Sequence, residues 1–280
     1  MNREQDIFKN GSTTYYWSSK FFPEETRKDV FKLYSFVRIA DDFVDTLPQD
    51  KKNFQQLEKA WYKAIETGKL PAGKNHSKIA MAVTNMYEVS QKYSFDNLWV
   101  VAFLEAMTSD LTTPEYRTLK QTLNYIYGSA EVIGLMMSRI IGVSEAGYNA
   151  AQLQGRAMQY INFIRDINED ITLGRQYLPK SELTKYGIKE LSKEYAYKHP
   201  GAFRELIKGQ LNYYREWQKE ANAGFKYVPR TQRIALRTAV DMYNWTADVI
   251  AKNPFVVFEY KVKPSRIRVI RRALLRVIHA

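Results

Sequence analysis

The chain has no cysteine in its 280 residues. Disulfides, thiolate metal sites and cysteine nucleophiles are thereby excluded, and a reducing compartment is the natural setting. Histidine is nearly absent: His76, His199 and His279 are the full supply, and none stands at metal-ligand spacing from another. A zinc enzyme or a Ser-His-Asp hydrolase is a poor reading of such a chain. Pro, Gly and Ser never cluster over more than a few residues, so no linker divides the sequence and one domain over 1–280 is expected. Met1 to Lys9 lacks the apolar run of a signal peptide, and no apolar run reaches the roughly 18 residues that a membrane span needs. The expected place is cytoplasmic, with peripheral contact to the inner face of the cell membrane as the closest approach to lipid. Acids are the minority charge, 30 against 42 Lys and Arg. The resulting +12 favours an anionic partner: nucleic acid, a phosphorylated small molecule or a membrane surface.

Apolar residues recur at a period near 3.6 and no convincing period of two is present, which predicts an all-α class, a single large helical domain. Residues 1–23 read as an aromatic loop. Pro23-Glu24-Glu25 then opens a helix that runs to about Asp45, where Leu47-Pro48 ends it. Further helices are expected at about 50–67, 77–93, 95–110, 119–141, 146–171, 201–223 and 229–252, with short helical pieces before His199-Pro200. Asp110 reads as a helix-end or loop carboxylate.

The helix expected over about 146–171 holds the stretch Gln159-Tyr160-Ile161-Asn162-Phe163-Ile164-Arg165-Asp166-Ile167-Asn168-Glu169-Asp170. Asn162, Asp166 and Asp170 fall one above another on one face, with Gln159 a turn earlier. Like charges at this spacing repel, so the row is more comfortable with a cation across it. A hard divalent ion such as Mg2+ takes oxygen ligands of this kind and shares its remaining positions with water and phosphate. The helix ending near Asp45 repeats the logic. Asp41 and Asp45 share a face, Arg38 precedes them by a turn and Tyr34 by two, while Asp42 is rotated away. One acidic pair alone is usually a solvated face. Two, each embedded among apolar residues and each beside an Arg (Arg38, Arg165), describe an apparatus for holding Mg2+ and a diphosphate.

With these motifs in order, the sequence resembles the trans-isoprenyl diphosphate synthases of the phytoene/squalene synthase type. The resemblance runs from Ser12-Thr13-Thr14-Tyr15-Tyr16 through Leu33 to Asp45, Ala106 to Leu111 and Tyr125 to Gly134, and is most specific from Gln159 through Asp170 into Gly174-Arg175-Gln176-Tyr177-Leu178-Pro179. It implies packed helices around a central cavity and a two-step, head-to-head joining of two allylic diphosphates through a cyclopropylcarbinyl diphosphate. By resemblance, Asp41, Asp45, Asn162, Asp166 and Asp170 hold Mg2+, with Mn2+ as a substitute; Ser12, Thr13, Thr14, Tyr34, Arg38, Gln159 and Arg165 contact substrate; and Tyr125, Tyr243 and Arg175 stand near the reacting carbons. Gly11 departs from the pattern, since relatives with a His there have a donor that this chain lacks. The resemblance favours phytoene synthase acting on geranylgeranyl diphosphate over squalene or dehydrosqualene synthase acting on farnesyl diphosphate; NADPH is expected only for a squalene synthase.

From Lys261 to Ala280 the chain carries seven Lys and Arg, no acid, and interleaved aliphatic residues. Such a basic amphipathic tail reads as a membrane-surface element or as a terminal helix packed on the body. Charge alone also fits a helical nucleic-acid-binding module, but that reading leaves both acid rows unexplained, and no nucleic acid is expected as partner.

Overall fold

A computed structural model describes residues 3–73 and 77–278. His76, His279 and the extreme ends of the expected 1–280 domain and 261–280 tail lie outside the described residues. Among the described residues there is no strand; the one extended pairing is an isolated bridge between Glu115 and Gln176.

Among the described residues, fifteen α-helices follow one another: α1 (Arg3–Gly11), α2 (Thr13–Ser19), α3 (Glu24–Asp45), α4 (Lys51–Thr67), α5 (Lys78–Tyr93), α6 (Asn97–Ser109), α7 (Leu119–Ile126), α8 (Val132–Ile141), α9 (Tyr148–Arg165), α10 (Ile167–Thr172), α11 (Lys180–Lys185), α12 (Lys193–Lys198), α13 (Pro200–Asn222), α14 (Arg230–Lys252) and α15 (Arg266–Ile278). The expected helix from Pro23 to Asp45 is therefore found, with Pro23 ahead of its first turn and Glu24 and Glu25 at the positive end of its dipole.

Three expectations need correction. Residues 1–23 are not a loop: they form α1 and α2, with Ser12 between them accepting the N–H of Tyr15 on its Oγ at 3.2 Å. The helix expected over 119–141 is broken by a π-helical turn at Tyr127–Glu131. The helix expected over 146–171 begins as a short tight turn at Glu145–Gly147 and bends at Asp166, whose φ of −98° and ψ of 11° separate α9 from α10. The bend costs little hydrogen bonding, because Asp166 N–H still reaches Asn162 O and Asp170 N–H still reaches Asp166 O, both at 2.8 Å. The polar row therefore keeps its one-turn spacing through the bend.

The core surrounds α9, which packs against α8, α13, α14 and the π-helical turn. Phe36, Leu57, Trp61, Met86, Phe103, Tyr160, Phe203 and Tyr214 are fully buried, and each large apolar side chain so placed contributes roughly 1.5–3 kcal/mol. Close approach of α9 to the π-helical turn, and of that turn to α6, depends on glycine. A Cβ on Gly155 would lie 2.5 Å from the Ala130 carbonyl oxygen, and one on Gly128 would lie 2.3 Å from that of Ala102. Both neighbours are backbone, which cannot swing aside.

Gly155→Val is accordingly expected to destabilise the fold by about 1–3 kcal/mol or more through overpacking, read as a lowered thermal midpoint. A midpoint equal to that of the parent would show that α9 and the π-helical turn are not held at this distance.

Candidate active site

One cavity of about 760 Å³ runs through the bundle. On α9 its lining proceeds from Ala150 and Ala151 through Gln154, Gly155, Met158, Gln159 and Asn162 to Arg165, with Asp166 just beyond. Sixteen residues of rise from Ala150 to Asp166 span about 24 Å. One end is apolar, walled by Ile141, Val143, Phe225, Val228, Leu236 and Val240; the other is strongly polar. Every residue singled out from the sequence meets this cavity: Ser12, Thr13, Thr14, Tyr34, Arg38, Asp41, Asp45, Tyr125, Gln159, Asn162, Arg165, Asp166, Asp170, Arg175 and Tyr243.

The acid rows sit at the C-terminal end of α3 and at the α9–α10 bend. Among the described residues, every carboxylate of the two rows except Asp170 is held by a basic side chain. Arg38 donates from Nη1 to Asp41 at 2.9 Å and reaches Asp42 from Nη2 at 2.5 Å, so Asp42, although rotated from the row, joins the rim of the same cavity. Arg165 forks onto Asp166, from Nε at 2.8 Å and from Nη2 at 2.5 Å. Arg175 donates to Asp45 and to the Val44 carbonyl. Lys261 lies 3.3 Å from Asp166 and also pairs with Glu169. Gly11 presses against this group: a Cβ there would fall 2.4 Å from Tyr34 Oη, so a histidine at that position is incompatible with Tyr34 as placed.

Burial and neighbouring acids act together on the row. Asp170 is pushed up to about 8 by burial, by Asp166 and Glu169 beside it and by Asp45 across the cavity. Asp41 is likewise held well above the usual carboxylate range, first by burial and then by Asp45. Its side chain keeps 33% exposure because it faces the open cavity while lying deep inside the protein envelope. Excess negative charge is thus concentrated where two helices meet.

A divalent cation suits this donor set as a shared ligand. All candidate donors are oxygens, which favours Mg2+ or another hard ion. Asn162 Oδ1 is buried without a hydrogen-bond partner, a position that normally demands one. Among the described residues, no group of three or more His, Cys, Asp or Glu is gathered closely enough to hold an ion alone. Each row taken alone therefore falls short of a complete set of protein ligands for an ion.

The sequence passed over a third polar group. Asp110, at the C-cap of α6, is indeed a helix-end carboxylate, but it is buried on the cavity wall and accepts hydrogen bonds from Tyr125 Oη and Tyr177 Oη, both at 2.7 Å. Arg175 reaches Tyr177 Oη at 3.3 Å, linking this group to Asp45. Tyr177 stacks on Phe163 at 4.4 Å between centroids. Burial raises Asp110 to about 6, against the lowering pull of Arg175 and the two phenols. Tyr243 stands elsewhere on the wall, its ring 5.7 Å from that of Tyr15, and Tyr15 Oη donates to Met158 Sδ at 3.1 Å.

Raised carboxyl groups bind protons in the folded chain that the unfolded chain has released, so the ligand-free protein should lose stability as pH rises from about 5 to about 8. Asp29 and Asp241 lose water on burial, yet Lys92, and Arg276 with Arg272, hold them low. Their contribution falls away only at lower pH, outside this window. Thermal melts across it should show a falling midpoint, with a shallower fall in Asp170→Asn. A midpoint that climbs through the window would contradict the crowding of charge described here.

Comparison with known proteins agrees with this geometry. A model of the Squalene/phytoene synthase family matches residues 8–268. The chain is 31% identical over 257 residues to a 15-cis-phytoene synthase of Enterobacter agglomerans, covering 83% of this chain and 80% of that protein. It is 29% identical over 258 residues to a 15-cis-phytoene synthase of Pantoea ananas, covering 87% and 80%. In fold it is similar to a dehydrosqualene synthase solved with a ligand (TM-score 0.83, 22% identity, 99% of this chain and 94% of that one). A squalene synthase from Alicyclobacillus acidocaldarius is also similar (TM-score 0.75, 18% identity, 90% and 93%). The chain belongs to the squalene/phytoene synthase family and is a prenyltransferase of the kind that joins two prenyl diphosphates head to head.

Proposed function

We propose that the protein condenses two molecules of geranylgeranyl diphosphate to phytoene, with Mg2+ held between the two acid rows. The observation that carries this reading is one cavity with two facing carboxylate rows, an Arg beside each, and a long apolar chamber leading away. The similar proteins named 15-cis-phytoene synthase support the C20 substrate. Bound by Asp41 and Asp45 on one side and Asn162, Asp166 and Asp170 on the other, Mg2+ would supply the positive charge that a departing diphosphate needs, and Mn2+ could replace it.

The chain's own residues do the rest. Arg38 and Arg165 exchange part of their pairing with Asp41, Asp42 and Asp166 for diphosphate oxygens. The hydroxyls of Ser12, Thr13, Thr14 and Tyr34 and the amide of Gln159 orient the same group. Loss of the first diphosphate leaves an allylic cation, which alkylates the 2,3 double bond of the second substrate; a proton leaves and the cyclopropane closes. The second diphosphate then departs, the skeleton rearranges to join the two C1 carbons, and loss of another proton gives the central triene without NADPH. Phe22, Phe163, Tyr125 and Tyr243 shield the cations from water and offer their ring faces. Tyr125 keeps its phenolic proton on Asp110 Oδ2, and Arg175 fixes this network against Asp45. We also infer that the protein works in the cytoplasm, at the inner face of the cell membrane, through its basic C-terminal segment.

Incubation with Mg2+ and geranylgeranyl diphosphate should yield a C40 product by mass spectrometry, with no need of NADPH. A C30 product formed only from farnesyl diphosphate would transfer the reading to squalene or dehydrosqualene synthase, with NADPH dependence deciding between them. EDTA should stop turnover and added Mg2+ restore it. Asp166→Asn should lower kcat by about a hundredfold or more while the fold survives, since it removes one charge from a like-charged row yet keeps an amide oxygen for Arg165 to donate to. Full turnover by that variant would remove Asp166 from the site.

A further inference from the structure

The basic composition of the C-terminal segment suggests that its arginines meet the partner, but the fold turns most of them inward or along the body. Arg272 and Arg276 both donate to Asp241 of α14, at 2.7 and 2.8 Å. The guanidinium of Arg266 lies 4.2 Å from the ring centroid of Trp17, and that of Arg268 4.5 Å from that of Trp245. Val269 and Ala273 are fully buried between these contacts. Together they fasten α15 to α2 and α14 and fix which side of it faces away.

At 100° per residue, Ile267, Arg271, Leu274 and Ile278 form a single row on that outer side. Ile267 is 77% exposed, Leu274 52% and Ile278 74%, and Ile270 and Leu275 widen the strip. Large aliphatic side chains this exposed, in register along one helix, are unfavourable in water and mark a contact surface. Arg271 is exposed within the strip and makes no ion pair among the described residues.

Two observations identify the occupant. No acid lies between Lys261 and Ala280 and the chain carries +12, so the partner surface is anionic. A second copy of this chain fails that requirement, because a two-fold contact would set the Arg271 side chains and their basic flanks against each other. The strip also follows closely in sequence on the active site: Lys261, Lys263 and Pro264, which lead into α15, line the catalytic cavity. A surface that accepts aliphatic side chains, is negatively charged and meets a helix that follows directly on the lining of a prenyl-chain cavity is a lipid monolayer with anionic headgroups.

We propose that α15 seats in such a monolayer by inserting Ile267, Leu274 and Ile278, with Arg271 at headgroup level, and thereby holds the cavity mouth against the lipid. This rests on the peripheral-membrane part of the proposed function and changes its physical basis: the aliphatic row inserts, while Arg272 and Arg276 anchor the helix to the protein. Prenyl chains then pass between membrane and cavity without exposure to bulk water.

The test uses the full chain and vesicles of phosphatidylcholine, with and without phosphatidylglycerol. The parent should co-sediment with the anionic vesicles and less with the neutral ones. The combined variant Ile267→Glu, Leu274→Glu, Ile278→Glu should partition at least about tenfold more weakly while turning over detergent-dispersed substrate at the parent rate. Because the chain has no native thiol, Leu274→Cys carrying an environment-sensitive dye gives an independent reading: its emission should shift to the blue on adding anionic vesicles. A parent that ignores anionic vesicles defeats the peripheral-membrane reading itself. Undiminished binding by the triple variant, or a dye that stays in water while the protein sediments, defeats the inserted row and leaves that reading standing. A parent that elutes as a dimer on gel filtration while the triple variant elutes as a monomer would assign the strip to a second copy and overturn the proposal.

Discussion

The structure depends on the repulsion between carboxylates held close together inside a helical bundle. Asp41, Asp45, Asp166, Asp170 and their neighbours Asp42 and Glu169 all meet one cavity. In low dielectric such a group is tolerable only if protons or cations neutralise it. The fold supplies internal cations at each point: Arg38 for α3, Arg165 and Lys261 for the α9–α10 bend, and Arg175 to tie Asp45 to the segment after α10. These pairs hold the acids in place with their charges only partly cancelled. On the proposed reading, a diphosphate with its metal ions would bring both missing partners at once, anions for the arginines and cations for the carboxylates.

The apolar half of the cavity follows from the same constraint. An acid-rich centre that must exclude water needs walls that cannot compete for its charge. The two halves are joined along α9, whose cavity-facing residues change from alanine and glycine to glutamine and asparagine along its length, with Asp166 just beyond. The close contacts of Gly128 and Gly155 with neighbouring carbonyl oxygens show how tightly the surrounding helices are drawn in. The opening of the helix at Tyr127–Glu131 occurs in the same region, where Ser129 and Ala130 reach the cavity.

Much of this was legible from local signals. Pro23, two acids and a later Leu47-Pro48 delimit α3 in sequence as they do in space, and the two acid rows could be placed by helical spacing because both keep it. The bend at Asp166 left no mark, since apolar periodicity continues through Ile161, Ile164 and Ile167 and the one-turn hydrogen bonds persist. The helices α1 and α2 were hidden by Gly11, Ser12 and a run of aromatic residues that reads as loop. Asp110 looked like an ordinary helix end because the groups that give it meaning, Tyr125 and Tyr177, lie 15 and 67 positions away. The tail showed a similar limit: periodicity revealed two faces, but Asp241, 31 and 35 positions before Arg272 and Arg276, decides which one turns inward.

The gradient along α9 makes that helix a ruler with its zero at the acid rows. On the proposed reading, a substrate pinned by its diphosphate would extend toward Ala150, and each turn of helix would add about 5.4 Å to the length admitted. On the proposed reading, selection among prenyl diphosphates of different length would be a steric reading taken at the end of the cavity remote from the acid rows. There Gly147, Ala150 and Gly224 adjoin the lining, and Gly224 already packs so closely that an added Cβ would come within 2.3 Å of the Ala150 methyl group. On that reading the acid rows and the length gauge are separable parts of one cavity, about 24 Å apart along α9.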